Sequence, residues 1–389
     1  MSGGIVQLVA TGAQDTWLTG KPEVSFFRAN YKRYTHYAST VERQLIQGQP
    51  IAGSVSTIRF EKKGDLLSYV YFSARDTNGA MVNNLNWSNV FDKVELLIGG
   101  QVIDTQDFNY MSDIEPITGA TTFNQRYLNN NTQNATTPNN KTATFFPLKF
   151  FFCKDWSVSL PLVALQYHDV ELRITWAADL TSTAPEVPAT STYAQLQFNA
   201  WSNFVYLDQG EREYFAKNAH DLLITQVQRV PIGTAAMQEL ALAHPIKFLA
   251  FQSASYGTVY NTGGIGAGSA TAANYQLKVQ INGVDVGESR HLPTYTDANQ
   301  YFHTQYGYVH SGIANVAIIS YCLDTSKLQP TGTLNFSRLD TYRLIVPVGI
   351  GANGLKALTN TAVTQPYIYA VNYNVLRIQK GMGSVLYSN

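Results

Sequence analysis

From residue 41 onward the chain is written in period two. Residues 170–176 put Val170, Leu172, Ile174 and Trp176 on one side and Glu171, Arg173 and Thr175 on the other. That is the pattern of a strand with one face in a core and one in water. Residues 41–46 and 55–60 alternate likewise, and β-forming runs recur at 66–72, 195–207, 221–229, 246–251, 275–281, 315–322, 343–346 and 367–376. Residues 93–98, the pair Gly99-Gly100 and residues 101–104 read as a hairpin. The best helix is 208–218, where Asp208 caps, Glu211 follows three residues on and Asn218 ends it. It lies near the middle and reads as the connection between two halves. Polar stretches at 124–144 and 181–192 read as long loops. Many short strands and little helix predict two tandem antiparallel β-sandwiches.

The halves echo one another. Lys93-Val-Glu-Leu-Leu-Ile-Gly-Gly-Gln-Val-Ile-Asp104 resembles Lys278-Val-Gln-Ile-Asn-Gly-Val-Asp-Val286. Each is an alternating strand, a glycine turn and a second short strand with an acidic residue at or near its end. The two lie about half a chain apart, as tandem repeats require.

Composition narrows the function. Of the 389 residues, 45% are hydrophobic, enough for a sizeable core, and only 14% are charged, against about 25% in ordinary globular chains. Lys+Arg and Asp+Glu each number 27, so the formal net charge is zero and little repulsion opposes self-association. No Lys/Arg run offers a surface for direct nucleic-acid binding. Cys153 and Cys322 form neither a disulfide framework nor a zinc motif and are expected as reduced, partly buried thiols. No apolar run reaches the ~18 residues of a membrane span. The first residues lack the charged and apolar regions of a secretory signal, so synthesis inside the cell is expected.

Residues 1–40 differ from the rest. Glycines punctuate a mildly apolar arm, Lys21-Pro22-Glu23 breaks it, and Phe26, Phe27, Tyr31, Tyr34 and Tyr37 then interleave with Arg28, Lys32 and Arg33. Such a block either stacks on nucleic acid or docks on a neighbouring subunit. With no wider basic patch the docking reading is preferred, and Phe27, Arg28 and Tyr31 are its candidate interface residues.

Catalytic patterns are absent from the sequence. The histidines are scattered, and His303 and His310 are too far apart for the tight His-x-His of a metal-binding jelly roll. No Gly-x-Ser-x-Gly elbow or phosphate loop occurs, and the glycine-rich stretch 263–268 reads as a surface loop rather than a dinucleotide fingerprint. No metal, cofactor or enzymatic activity is expected. The acidic pairs Asp104/Asp107 and Glu211/Glu213 are expected in solvated or capping roles. Sequons fall at Asn86, Asn130, Asn134, Asn140 and Asn335. Asn130, Asn134 and Asn140 lie in the polar loop and are candidate glycosylation sites; Asn335 is placed in a strand, where a glycan would clash.

That strand belongs to Gln329-Pro-Thr-Gly-Thr-Leu-Asn-Phe-Ser-Arg-Leu-Asp340. Pro330 and Gly332 make a turn, and residues 333–336 read as a strand with Leu334 and Phe336 inward and Arg338 and Asp340 continuing the alternation. The stretch closely resembles the signature near the end of the major capsid proteins of nucleocytoplasmic large DNA viruses. Blocks at 26–38, 94–104, 160–170, 211–228 and 368–389 resemble that family in the same order. The resemblance implies an all-β double jelly roll: two tandem antiparallel eight-stranded rolls with a short linker helix. It implies an arm at 1–25, a first roll at 26–207, the linker at 208–220 and a second roll at 221–389. It further implies homotrimers forming pseudo-hexagonal capsomers of an icosahedral virion shell, assembled inside the host cell, in the cytoplasm. Minor capsid and penton proteins, and an internal viral membrane beneath the shell, would be the partners. Loops at 124–144, 181–192, 253–273 and 293–312 would face outward. Arg338 and Asp340 would form a packing or inter-subunit ion pair. The alternative reading is a glycan-binding or glycan-cleaving β-sandwich, which requires an aromatic-lined groove with carboxylates about 5–10 Å apart.

Overall fold

The computed structural model describes residues 12–83, 85–119, 142–184, 191–253, 275–305, 316–347, 351–359 and 365–387. The chain divides into two compact units, Met1–His36 and Tyr37–Asn389. In the first, a short helix at Thr16–Thr19 is followed by chain without helix or strand to residue 36. Phe27 is 98% exposed and Tyr31 88%.

The second unit opens with β1 (Tyr37–Gln44), β2 (Val55–Arg59), β3 (Leu66–Arg75), β4 (Phe91–Ile98), β5 (Gln101–Asp107), β6 (Phe145–Pro147), β7 (Val170–Trp176) and β8 (Gln197–Leu207). One sheet runs β1-β8-β3, with β6 and Leu160–Pro161 also on β3; the facing sheet runs β2-β7-β4-β5. Helix α1 (Gln209–Lys217) follows, with Asp208 Oδ1 accepting the Gln209 N–H at 2.8 Å. Then come β9 (His220–Pro231), β10 (Met237–Glu239), β11 (Pro245–Gln252), β12 (Gln276–Ile281), β13 (Val284–Asp285), β14 (Val316–Ser320), β15 (Tyr342–Ile345), β16 (Tyr367–Gln379) and β17 (Met382–Val385). One sheet runs β9-β16-β11-β14, the other β10-β15-β12-β13, and all these pairings are antiparallel. Apart from β17, which adds to β16, this is the order of the first half, so the fold is two jelly rolls in tandem.

Both echoing hairpins occupy equivalent places. Gly99 (φ +58°) and Gly100 (φ +81°) join β4 to β5, and Asn282 (φ +49°) and Gly283 (φ +78°) join β12 to β13. Positive φ at both central residues gives the turn whose twist matches a tight hairpin, and Gly and Asn tolerate it best.

Burial explains why the second half alternates less cleanly. In β7 burial follows the sequence period residue by residue. In β16, residues 368–374 are buried without a break. Ile368 and Ala370 point into the second roll's own core, while Tyr369 and Val371 join the apolar cluster of the first roll. Phe248 and Ala250 of β11 and Val316 and Ile318 of β14 face the first roll in the same way. This sheet is covered on both faces, so its strands read as continuous apolar runs.

Three expectations are corrected. Helix is not confined to the linker: Tyr110–Ile114 is π-helical and runs into the α-turn Glu115–Thr118, and Thr294–Ala298 and Asn299–His303 repeat the arrangement in the second roll. The described part of 293–312 is therefore largely helical rather than loop. The wider π turn turns all five side chains of Tyr110–Ile114 inward, so no 3.6-residue stripe appears in the sequence. Next, only Leu334–Asn335 is strand; Phe336–Arg338 is a 3-10 turn, because Asn335 Oδ1 accepts the Ser337 N–H at 3.1 Å. Phe336 is buried as expected, but Arg338 and Asp340 are exposed, and neither joins an ion pair among the described residues. Asn335 itself is exposed and spent as a cap, and half-buried Asn86 caps the turn Trp87–Asn89 in the same way. Finally, Asp104 and Asp107 are buried, as described below. Asn130, Asn134, Asn140 and the stretch 263–268 lie outside the described residues.

Candidate assembly interface

The polar chemistry of the second unit is concentrated where the rolls meet. Strand β5 ends under β9 and β16, and it carries the two carboxylates there. Asp104, 3% exposed, accepts the Val227 N–H at 2.9 Å through Oδ1 and the Gln106 Nε2 at 2.8 Å through Oδ2. Asp107, 6% exposed, accepts the Tyr110 N–H at 2.8 Å through Oδ1. Its Oδ2 accepts the Tyr369 hydroxyl at 2.7 Å and Arg229 at 3.2 Å. Gln226 Nε2 donates to Ile103 O, Gln252 Nε2 to Asp113, and Thr325 Oγ1 to Thr118 O at 2.7 Å. The rings of Tyr110 and Tyr369 lie 5.6 Å apart. At another point on the seam Tyr167 N–H donates to Gly381 O at 2.9 Å, and His168 Nδ1 lies 3.0 Å from Gly383 O.

The seam holds its charges in two ways. Glu115 is buried, which would raise its carboxyl, but Lys149 (3.1 Å) and Lys154 (3.5 Å) outweigh burial and hold it below the usual range. Asp104 has only neutral donors within hydrogen-bond reach. Burial pushes it up to about 6 against the pull of the Val227 N–H and the Gln106 amide. Lys247, 3% exposed, donates to Thr325 O and Lys327 O at 3.1 and 2.9 Å, and burial lowers it to about 8. It ties residues 325–327 to β11 beside a cavity of about 300 Å³ between the rolls. Desolvation pushes the half-buried Cys153 thiol up to about 12, an unreactive thiol.

Asp104 gives a pH prediction with a fixed sign. Its folded value lies above the ordinary carboxylate value of 3.8. Its contribution to stability is therefore complete below that value and is lost as pH rises through about 6. The full loss is on the order of 3 kcal/mol. Asp107, also raised chiefly by burial, adds in the same sense, while Glu115 opposes. Thermal melts from pH 4 to 8 should show Asp104→Asn losing less stability than wild type across pH 4–6. Parallel slopes for the two proteins would remove Asp104 as the source.

Among the described residues two further apolar features stand open. A groove of about 640 Å³ on the outward side of β3 is lined by Tyr69, Tyr71, Met81, Phe145 and Trp156. Tyr69 and Trp156 meet edge to face at 5.8 Å, and Tyr71 stacks on Trp201 at 6.5 Å. On the second roll, Tyr301 and Phe302 are exposed, their rings edge to face at 5.1 Å. Of the sequence-derived site residues, Phe27, Arg28 and Tyr31 lie exposed in the N-terminal unit, and Arg338 and Asp340 lie exposed in the second roll. Nothing in the described residues brings Arg338 and Asp340 together as a pair. Sequence reading missed the Asp104/Asp107 seam. The available signal was apolar Ile103 and Phe108 flanking the acids. Among the described residues no three of His, Cys, Asp and Glu are grouped as a metal site needs, and no helix is long and apolar enough to cross a membrane.

Comparison with known proteins agrees with this architecture. Residues 25–208 match the family described as major capsid protein N-terminus, and residues 211–384 match large eukaryotic DNA virus major capsid protein. The major capsid protein of Paramecium bursaria Chlorella virus 1 is 32% identical over the full length of both chains, and that of Pyramimonas orientalis virus 29%, again with both chains covered in full. A chain of the quasi-atomic PBCV-1 virus capsid superposes with a TM-score of 0.71 at 26% identity, covering 94% of this chain and 100% of that one. The Faustovirus major capsid protein, at 11% identity and a TM-score of 0.57 over 97% of each chain, shares the fold. Two jelly rolls of one strand order, a buried seam fixing them together and full-length similarity lead to one assignment: the chain belongs to the major capsid proteins of large eukaryotic DNA viruses, structural components of the virion shell.

Proposed function

We propose that three copies of this chain form a pseudo-hexagonal capsomer that tiles an icosahedral shell. The observation that carries this reading is the seam: two rolls of the same strand order are locked by buried side-chain bonds, so one chain presents two like units. A six-edged tile needs six such units, and three chains supply them in a closed ring. On this reading the chain is an arm at 1–25, rolls at 26–207 and 221–389, and a linker at 208–220; the matched family segments, 25–208 and 211–384, support that division. The exposed aromatics Phe27 and Tyr31, beside Arg28, directly follow the arm and serve with it as anchors on neighbouring capsomers, minor capsid and penton proteins, or the membrane beneath the shell.

The expected result is a single trimeric species in sedimentation velocity and hexagonal arrays by electron microscopy. Deletion of residues 1–25 leaves the trimer and abolishes arrays. A chain that stays monomeric under assembly conditions overturns the reading, and loss of the trimer on arm deletion reassigns the arm to subunit association. The aromatic groove at Tyr69, Tyr71, Phe145 and Trp156 is the feature a glycan-binding reading asks for. Its carboxylates are already paired, Glu115 with Lys149 and Lys154 of the same groove and Asp155 Oδ1 with the Ser157 N–H and hydroxyl. Subunit contact is the better reading, and retention on a glycan array would reverse that preference.

A further inference from the structure

Within one chain, the first roll meets the second through the helical turn that follows β5. Tyr110–Ile114 and Glu115–Thr118 lie on the outward face of the β9-β16-β11-β14 sheet, where Tyr110 meets Tyr369 and Asp113 meets Gln252. The rolls share one strand order, so each half of that contact has a counterpart. The counterpart of the helical turn follows β13, at Thr294–Ala298 and Asn299–His303. The counterpart of the receiving face is the outward side of β1-β8-β3.

Among the described residues both counterparts are open. Asp104, opposite Leu96 in the first roll's hairpin, is buried beneath the second roll, whereas Val286, opposite Val279 in the second roll's hairpin, is exposed. Tyr301 and Phe302 on the helical turn are exposed as well. The first roll's receiving face carries the unfilled aromatic groove. One chain thus has a filled plug and seat inside it, and an unfilled plug and an unfilled seat on different rolls.

We propose that the groove lined by Tyr69, Tyr71, Phe145 and Trp156 receives Tyr301 and Phe302 of a second copy of this chain. The contact repeats between chains the one that joins the rolls within a chain. It rests on the trimer reading and names that trimer's interface. A plug and a seat on different surfaces make a heterologous contact, which closes into a ring when the last copy meets the first. Aromatic side chains entering an apolar pocket are the usual energetic centre of such an interface.

The test uses the full chain in sedimentation velocity and in oxidative crosslinking. Phe302→Asp, at an exposed position, should keep the wild-type melting temperature and circular dichroism while weakening association at least tenfold. Trp156→Glu should do the same from the seat side. In a Cys153→Ser background, which removes the native thiol lining the groove, the double variant Phe302→Cys/Trp156→Cys should crosslink between chains on oxidation, giving bands above the monomer on non-reducing gels, where each single variant gives none. A wild-type trimer with Phe302→Asp equally trimeric and no crosslink overturns this interface and leaves the trimer reading standing. A wild-type chain that is monomeric overturns both.

Discussion

Asp107→Ala should lower stability by about 3–5 kcal/mol and abolish shell assembly at physiological temperature. The carboxylate is buried and gathers three donors from both sides of the seam: the Tyr110 N–H, the Tyr369 hydroxyl and Arg229. Removing it orphans the Tyr110 N–H and the Tyr369 hydroxyl in a dry site, each at ~1–3 kcal/mol. Arg229 contributes less, because its side chain is 36% exposed and water replaces the lost partner. The deletion series should therefore be graded. Tyr369→Phe removes one donor and should cost ~1 kcal/mol, and Arg229→Ala falls between it and Asp107→Ala. A double-mutant cycle for Asp107 and Tyr369 should return a coupling of ~1–2 kcal/mol, since the two share a bond. Chemical denaturation monitored by tryptophan fluorescence measures each value. An Asp107→Ala protein that unfolds within ~1 kcal/mol of wild type would show that apolar packing alone holds the rolls together.

That seam marks the boundary of what the sequence discloses. Period-two runs announce strands such as β7 because one face is wet and one dry, and Gly99-Gly100 announces its hairpin because few residues accept positive φ there. Both are local signals. The inter-roll contact is not local: Asp104 meets Val227 and Asp107 meets Tyr369 across more than a hundred residues of chain. Their alternation predicts a solvated edge, and only the second roll's arrival makes it a core. The echo illustrates the same limit. Asp104 and Val286 hold matching places in the two hairpins, yet one is buried and the other exposed, because only one hairpin is covered within the chain. The 329–340 stretch was legible as a turn and a buried Phe336, but Asn335 diverted it from a strand by capping its own turn. The exposure of Tyr301 and Phe302 was hidden for a further reason: their helix is short and wound from a π turn, with no periodic stripe to read.

Phe91→Ala should cost about 3–5 kcal/mol, at the upper end of that range. Phe91 is buried at the centre of the first roll's aromatic core. Its ring centroid lies 4.9 Å from Phe72, 5.5 Å from Trp87, 5.6 Å from Phe146 and 5.7 Å from Trp176. Phe91 on β4 is paired with Trp176 on β7, where a register shift at Thr175/Trp176 interrupts the ladder. Truncation loses the buried ring area and leaves a cavity among side chains held by two sheets, which limits collapse. Each aromatic pair adds ~0.5–1.5 kcal/mol beyond area alone. Phe91→Leu, which fills most of the space but stacks on nothing, should cost ~1–2 kcal/mol. In urea the midpoint should fall in that order with the slope unchanged, since the same surface is exposed on unfolding. Assembly then separates stability from interface. Phe91 touches no open surface, so shells of Phe91→Ala should form at low temperature and fail on warming, in step with its melting curve. Failure at every temperature, with the subunit folded, would mean that the first roll's core sets the shape of the outer faces as well as their stability.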